Sequence, residues 1–264
     1  MNEMILEGGN LNKVIKIDET VRRPLKEWSP TIHRFLKFLE KNGFNESPKF
    51  YGIDKDNREI LSFIRGDTGV DFPKLKPYMM SDEVLVDIAK ILKKLHDISA
   101  LFKTDIDDTW MLSYPGNLPL EVICHNDCAP YNVVFSGGRV SGIIDFDTAC
   151  PAPRIWDIAY TLYTFVSLGR YVYDPACDKL EDYDSSKHAA NHKRRIALFL
   201  NAYGIAQPND LINQIIFRIE TLCDTILSKA NQGDEAFKKM LQEGHLLHYQ
   251  NEIDFIRCHG HEWV

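Results

Sequence analysis

The sequence feature that most constrains this chain is a polar motif whose second half follows after a short apolar stretch. His125, Asp127 and Asn132 fit the pattern His-x-Asp-x-x-x-x-Asn, and Asp145 follows thirteen residues after Asn132 in an Asp-Phe-Asp triplet. The residues in between are mostly apolar or β-branched on either side of Gly137-Gly138. Because paired glycines between such runs are typical of a hairpin turn, we expect two antiparallel strands here.

The predicted hairpin brings the two halves of the motif together. With Gly137-Gly138 as the turn, the register places Asn132 opposite Ile143. Asp145 then lies two residues, about 7 Å, further along the partner strand. Since one hydrated metal ion bridges that distance, the pattern predicts a single site that contains Asn132 and Asp145.

The residue types of this motif suit phosphoryl transfer from a nucleoside triphosphate. The transferred group passes through a loose transition state, so a protein must mainly hold Mg²⁺ and orient the acceptor hydroxyl. Magnesium prefers oxygen ligands and takes few protein carboxylates. Asp127 is therefore the predicted catalytic base, and Asn132 and Asp145 are the predicted magnesium ligands. His125 is expected to brace the backbone of the loop.

The same residues resemble a known family. The segment from His125 to Asn132, the Asp-Phe pair at Asp145 and the run Trp156-Asp157-Ile158-Ala159 are similar to the motifs of the aminoglycoside phosphotransferase and choline kinase family. The resemblance covers most of the chain and is specific between about residues 121 and 160. It implies the roles given above for the base and the metal ligands, and it makes Asp157 a structural anchor under the catalytic loop.

The resemblance also implies a fold class. We expect an α+β, bilobal, protein-kinase-like fold in which residues 1–65 form a small antiparallel β-sheet lobe with one helix and bind the nucleotide. Residues 66–264 are expected to form a larger, mainly helical lobe with the catalytic loop and the substrate site. The helix of the first lobe is predicted to begin at Ser29, as N-cap, and to end at Gly43.

Two features separate the sequence from protein kinases. Serine and threonine kinases usually place a lysine two residues after the catalytic aspartate, where this chain has Ala129. Only eleven residues lie between Asp145 and Asp157, which leaves no room for a long activation loop and a peptide-docking segment. The acceptor is therefore predicted to be a small molecule.

The phosphate-binding residues are predicted from the first strands. Gly8 and Gly9 are the candidate phosphate-covering turn, because glycine lets backbone amides approach phosphate oxygens. The kinase motif Val-Ala-Ile-Lys has no clean match. On the predicted strand at 20–23, Arg23 shares a face with a valine that is placed to touch the base, so Arg23 is the predicted phosphate ligand. Arg22 is the competitor and Lys16 the third choice.

Two parts of the nucleotide site stay open in the sequence. The acid that should pair with the phosphate-binding cation is unclear, since the expected helix carries His33 in its middle and Glu40 near its end. The resemblance implies that adenine pairs with the Ser62 carbonyl and the Ile64 amide, in a hinge that ends at residues 65–67. ATP is the predicted donor, together with Mg²⁺, and GTP is left open as an alternative.

The second lobe should carry the acceptor site. Helices are predicted at residues 154–172, 188–203, 208–231 and 234–256, with a loop at 174–186. Acidic side chains would meet the ammonium groups of a cationic acceptor, and aromatic rings would hold a quaternary ammonium. The chain offers candidates of both kinds, which are Asp147, Glu220, Asp224, Glu243, Glu252, Asp254, Trp156, Tyr160, Tyr163 and Trp263.

Composition excludes several other classes of protein. A net charge of -7 over 264 residues argues against nucleic-acid binding, for which a basic patch is expected. The six cysteines include no Cys-x-x-Cys pair and do not resemble a zinc site. No signal peptide or long apolar run is evident, so no membrane association and a cytoplasmic location are predicted. The polar C-terminal segment with Cys258, His259 and His261 is expected to be mobile.

Two functions remain open at this point. The first is an active kinase that phosphorylates a hydroxyl of a small molecule, aminoglycoside-like or another metabolite. The alternative is a catalytically impaired kinase-fold protein that binds a nucleotide or ligand, which the missing lysine motif favours. The retained Asp127, Asn132 and Asp145 argue against this alternative. The oligomeric state is not predicted.

Overall fold

The computed structural model describes residues 3–6, 14–174 and 177–264. The chain divides into two compact units, of which the first comprises Met1–Val70 and Lys90–Arg154 and the second comprises Asp71–Ala89 and Ile155–Val264. Helices and antiparallel strands both occur, which confirms the α+β class. The predicted division at residue 65 stays a prediction.

An antiparallel sheet forms one part of the first unit. Within the described residues it has five strands in the order β1-β2-β3-β5-β4, with the bounds β1 (Glu3–Leu6), β2 (Val14–Ile17), β3 (Thr20–Pro24), β4 (Phe50–Ile53) and β5 (Arg58–Ser62). The ladder between β3 and β5 places Arg23 directly opposite Glu59. Because directly opposed residues project from the same face of a sheet, their side chains meet.

The sheet is accompanied by α1 (Ser29–Lys41), whose apolar side chains recur every three or four residues and are buried. Ser29 was the predicted N-cap, but Trp28 occupies that position, and the Ser29 hydroxyl instead accepts a hydrogen bond from the Lys26 amide at 2.9 Å. The helix ends at Lys41. Gly43 follows with a φ of 82°, a conformation that glycine adopts without strain.

The remaining strands of the first unit surround the motif, with the bounds β6 (Asp67–Thr68), β7 (Val122–Cys124), β8 (Val133–Ser136), β9 (Arg139–Ile143) and β10 (Cys150–Ala152). Strands β8 and β9 form the predicted hairpin around Gly137-Gly138. A β-bulge after Val134 changes the register, so Val133 and not Asn132 lies opposite Ile143. The predicted pairing of Asn132 with Ile143 was wrong by one residue, because a bulge adds a residue to one strand.

The helices other than α1 are α2 (Asp82–Ser99), which the boundary between the units divides, and α3 (Arg154–Val166), α4 (Ser185–Tyr203), α5 (Leu211–Asn231), α6 (Glu235–Gln242) and α7 (His245–His259). The predicted loop at 174–186 was wrong in part, since β11 (Tyr171–Asp174) and β12 (Lys179–Asp182) form an antiparallel pair there. In the described part of the chain, no helix is both long enough and apolar enough to cross a membrane.

The C-terminal segment is folded, so the prediction of a mobile tail was wrong. A short 3₁₀ helix, Gly260–Trp263, follows α7, and the Trp263 side chain is fully buried. Its indole nitrogen donates a hydrogen bond to the Tyr183 hydroxyl at 2.8 Å, and that hydroxyl donates to Glu262 at 2.7 Å. Burial of a large aromatic ring stabilises this segment in a way that its polar composition does not indicate.

Candidate functional site

The loop that begins at His125 is held by its own side chains. The His125 ring is fully buried, and its Nε2 lies 2.9 Å from the carbonyl oxygen of Ile144. Its Nδ1 accepts a hydrogen bond from the Asp127 amide at 3.2 Å. The ring also packs edge-on against Phe146, with 4.6 Å between the centroids. These contacts tie the loop to the residues on both sides of Asp145.

Asp127 is oriented by two neighbours on the same loop. The Tyr131 hydroxyl donates to one carboxylate oxygen at 2.7 Å, and the Asn132 side-chain amide donates to the other at 2.8 Å. A carboxylate has about four acceptor positions, so it still has capacity to accept a proton from a further hydroxyl. Because the Asn132 nitrogen donates to Asp127, the Asn132 amide oxygen is the atom left to coordinate a metal ion.

Asp145 lies beside Asn132 through the hairpin. The Ile144 amide donates to the Asn132 carbonyl at 2.8 Å, so Asp145 follows directly after the residue that pairs with Asn132. Asp145 has a φ of 63°, a left-handed conformation that is uncommon outside glycine. Its side chain is half exposed. The bulge therefore shortens the predicted offset between the two residues and keeps them together.

Arg23 reaches three carboxylates with one guanidinium group. Its Nε donates to Glu59, its Nη1 to Asp145 at 3.0 Å and its Nη2 to Asp147 at 2.6 Å. The side chain of Arg23 is 12% exposed and that of Glu59 is 3% exposed. Burial alone would lower the pKa of Arg23, but Asp147, Asp145 and Glu59 together raise it above its ordinary value. Arg23 is therefore charged at any physiological pH.

The charges around Arg23 suit a divalent cation. Three carboxylates surround one guanidinium, which leaves an excess of two negative charges. Burial raises the pKa of Asp147 to about 6 although Arg23 opposes the rise, and the neighbouring carboxylates of Asp145 and Glu59 add to it. Arg23 alone does not balance the three carboxylates that contact it. Oxygen ligands with this charge fit Mg²⁺, with Asn132 and Asp145 at the cleft.

A cleft of about 300 Å³ adjoins these residues. The predicted nucleotide residues Arg23, Ser62 and Ile64 line it together with the predicted metal ligands Asn132 and Asp145. Its other lining residues are mostly apolar and are Val14, Val21, Pro48, Leu61, Phe63, Gly66, Thr68, Val70, Tyr131, Val134 and Ile144. Apolar walls with a few polar groups at one end suit a planar base joined to a charged chain.

Four further residues were candidates for the nucleotide site, and the structure describes two of them, Arg22 and Lys16. Arg22 lies 3.7 Å from the Asp54 carboxylate, and it is not among the described residues that line the cleft. Gly8 and Gly9 lie outside the described residues. Lys16 lies over the ring of Phe63, with 3.8 Å between its nitrogen and the ring centroid.

The sequence did not identify Glu59 as the acid that pairs with Arg23. Glu40, near the end of α1, pairs with Lys49 at 2.9 Å on the surface. His33 lies in the middle of α1, and its Nε2 is 2.5 Å from the second oxygen of Glu59. The available signal was the alternation along β5, which puts Glu59 on the same buried face as Leu61.

Three of the acidic candidates for acceptor binding in the second unit have arginine partners. Arg257 contacts Glu220 at 2.6 Å and Asp254 at 3.0 Å. Glu252 is buried and accepts a hydrogen bond from Arg170 at 2.8 Å. These carboxylates balance arginines of the same unit, so each one that met a cationic acceptor would first lose an ion pair.

Two of the four aromatic candidates in the same unit pack against an arginine of the protein itself. The Arg218 guanidinium lies over the rings of Trp156 and Tyr160, with 5.0 Å and 4.5 Å to the two centroids. Tyr163 and Trp263 are buried. Two of the ring faces that would bind a quaternary ammonium are therefore in contact with an arginine.

Comparison with known proteins finds similar sequences for the part of the chain that holds this site. A model of the phosphotransferase enzyme family matches residues 99–185, which include the motif from His125 to Asp157. The trifolitoxin immunity protein of Rhizobium leguminosarum bv. trifolii is 29% identical over 210 residues, which cover 78% of this chain and 76% of that protein. The homoserine kinase of Zymomonas mobilis subsp. mobilis is 35% identical over 95 residues, which cover 35% of this chain and 29% of the kinase.

Solved structures show the same fold over nearly the whole chain. The structure of a gentamicin complex of APH(2″)-IIa matches with a TM-score of 0.57 at 18% identity. The match covers 96% of this chain and 93% of the APH(2″)-IIa chain. The choline kinase of Cryptosporidium parvum has a TM-score of 0.61 at 12% identity, with coverages of 98% and 90%. The predicted protein-kinase-like fold and the resemblance to aminoglycoside phosphotransferases and choline kinases are confirmed.

Proposed function

We propose that this protein is a small-molecule kinase that transfers the γ-phosphate of a nucleoside triphosphate to a hydroxyl group. The observation that carries the proposal is the geometry around one cleft. Asn132, Asp145 and Arg23 line the cleft, and Asp127 is hydrogen-bonded to Asn132 beside it. These are the base, metal ligands and cation that phosphoryl transfer requires. The phosphotransferase family match and the homoserine kinase relatives support the same reaction class.

In this proposal the cleft binds ATP, with GTP as the alternative donor. The apolar residues Val21 and Ile144 contact the base, and the Ser62 carbonyl and Ile64 amide pair with its edge. Arg23 contacts the phosphates, and it is preferred to Arg22 because it lines the cleft. The glycine pair at residues 8 and 9 is proposed to cover the phosphates.

The proposed chemistry divides between the loop and the hairpin. Asp127 accepts the proton of the acceptor hydroxyl, held in place by Tyr131 and Asn132. Asn132 and Asp145 would hold Mg²⁺, which supplies compensation for the negative charge of the phosphates. Arg23 adds a fixed positive charge at the same end of the cleft.

The acceptor is proposed to be a small hydroxylated compound. The stretch from Asp145 to Asp157 is short and folded as a 3₁₀ turn, β10 and the start of α3, so it provides no peptide-docking segment. The homoserine kinase relatives make a hydroxy amino acid such as homoserine the first compound to test. A quaternary ammonium compound is less well supported, since Trp156 and Tyr160 already pack against Arg218.

A second candidate function is nucleotide binding without catalysis, in a protein that confers immunity to a toxin. It is favoured by the similarity to the trifolitoxin immunity protein, which extends over 78% of this chain, whereas the similarity to the homoserine kinase of Zymomonas mobilis extends over 35%. The arginine in place of the usual kinase lysine points the same way. Both functions predict nucleotide binding, and only the first predicts phosphoryl transfer.

Two measurements test the proposal. Calorimetric titration with Mg-ATP and Mg-GTP should give saturable binding of at least one nucleotide. Coupled release of ADP or GDP should then be followed with homoserine, choline, ethanolamine, aminoglycosides, macrolides and sugars, and one of these classes should raise the rate above the rate without acceptor. Absence of nucleotide binding would rule out both functions. Binding without phosphoryl transfer to any of the compounds would favour the second.

A further inference from the structure

We propose that Glu59 and His33 are positioning residues that hold Arg23 in the orientation needed for phosphoryl transfer. The proposal rests on the proposed function, because it concerns how the phosphate-binding cation is held. Glu59, on β5, is then the acid that the sequence left unidentified. His33, on α1, holds the Glu59 carboxylate in place.

Glu59 fixes one side of the Arg23 guanidinium. The two residues lie directly opposite each other on β3 and β5, and Glu59 accepts a hydrogen bond from the Arg23 Nε. The two Nη atoms are thereby directed toward Asp145, which lines the cleft, and toward Asp147. A guanidinium held at Nε presents its remaining N–H groups in a fixed plane.

His33 fixes the second oxygen of Glu59. Its Nε2 lies 2.5 Å from that oxygen, so the carboxylate has one partner on each oxygen. The His33 ring is stacked on Phe50 of β4, with 3.7 Å between the centroids and 12° between the planes. Burial without partners would be costly for the Glu59 carboxylate, and the histidine and the arginine together satisfy it.

The contacts form a chain in which His33 acts through Glu59. His33 is not among the described residues that line the cleft, whereas Arg23 is. Replacement of His33 should therefore affect catalysis only while Glu59 is present. A residue with a general role in folding would show no such dependence, so the dependence separates positioning from stabilisation.

The experiment measures ATP hydrolysis, with water as the acceptor, and adenosine affinity by calorimetry. The variants are Glu59→Gln, His33→Phe, His33→Gln and the double variant Glu59→Gln with His33→Phe. Phenylalanine keeps the stacking on Phe50 without the hydrogen bond, and glutamine keeps a donor. Glu40→Gln is the matched control, because it removes an exposed ion pair from the same helix.

We expect kcat to fall about tenfold in Glu59→Gln, the effect of losing one charge-assisted hydrogen bond. His33→Phe should lower kcat severalfold, His33→Gln should restore most of it, and the double variant should match Glu59→Gln within about twofold. Adenosine affinity and the activity of Glu40→Gln should stay at wild-type values.

Three results would overturn the inference while the wild type still binds and hydrolyses ATP. They are an unchanged kcat in Glu59→Gln, a loss of adenosine affinity that parallels the loss of kcat, and full additivity of the two substitutions. A wild-type protein that binds neither ATP nor adenosine would instead refute the proposed function, and the inference with it.

Discussion

At the residue scale, Arg23 is the residue that we propose takes the place of the phosphate-binding lysine. Its guanidinium donates to Glu59, Asp145 and Asp147 from three different nitrogen atoms. A lysine presents its donors from a single atom and could not span these three carboxylates in the same way. The absence of the kinase lysine motif is therefore compatible with an organised cation at the cleft, because the acids around it are arranged for a guanidinium.

His192 gives a prediction about stability and pH. Its ring is buried and stacked on Tyr183, with 5.5 Å between the centroids. Burial, together with the positive charges of His188 and Arg195, lowers its pKa to about 4. The unfolded imidazole binds a proton below about pH 6.5 while the native one stays neutral, so stability falls as the pH drops from about 6.5 to 4. The lowered pKa of His192 should reduce the free energy of unfolding by roughly 2 kcal/mol between pH 7 and pH 5.

Chemical denaturation of the wild type and of His192→Phe at both pH values measures this contribution. Phenylalanine keeps a stacked ring and cannot be protonated. From pH 7 to pH 5 the free energy of unfolding should therefore fall by about 2 kcal/mol less in the variant than in the wild type. An identical pH dependence in the two proteins would show that His192 does not titrate in this range.

The positions of individual candidate residues were predictable where one strand or one loop determined them. The alternation along β3 placed Arg23 on the face of Val21, and both line the cleft. Glu59 was not predictable in the same way, because its contact with Arg23 depends on the register between two strands far apart in the sequence. Partners across a sheet require the ladder, which a single strand does not encode.

At the scale of elements, the segment between β5 and β6 gives a prediction about the wall of the cleft. Gly66 lines the cleft with a φ of 151°, and a Cβ at this position would lie 2.2 Å from the carbonyl oxygen of Phe135. Gly66→Ala should therefore lower the free energy of unfolding by about 3 kcal/mol, through strain and the clash with backbone.

Gly52→Ala is the control for this prediction. Gly52 has a φ of 135° but nothing within 4 Å of a Cβ, so its replacement should cost only about 1 kcal/mol from backbone strain. Urea denaturation of the two variants compares the costs. If both variants are destabilised equally, the close approach of Gly66 to Phe135 does not restrict which side chain position 66 tolerates.

The hairpin shows which parts of an element the sequence determines. Gly137-Gly138 and the flanking apolar runs predicted β8, β9 and their turn correctly. The bulge after Val134 was not predictable, since an extra residue in one strand leaves the apolar pattern almost unchanged. The site survived this error because either register returns Asp145 to the neighbourhood of Asn132.

At the scale of the whole molecule, the fold class was predictable from motifs that are local in sequence, and the solved structures confirm it. One of the errors fell in a segment whose structure depends on a distant contact. The C-terminal segment is polar, but Trp263 is buried against Tyr183, 80 residues away in the chain. Such contacts are decided by tertiary packing, which composition does not report.

The most direct test of the kinase proposal is the rate of phosphoryl transfer by the wild type and by Asp127→Ala, measured with the best acceptor of the screen. Removal of the carboxylate removes the proposed base and leaves Asn132, Asp145 and Arg23 in place. The rate should fall at least about 100-fold, and the calorimetric affinity for Mg-ATP should stay within about twofold of the wild-type value. A variant that keeps the wild-type rate would contradict the proposed role of Asp127 and the mechanism built on it.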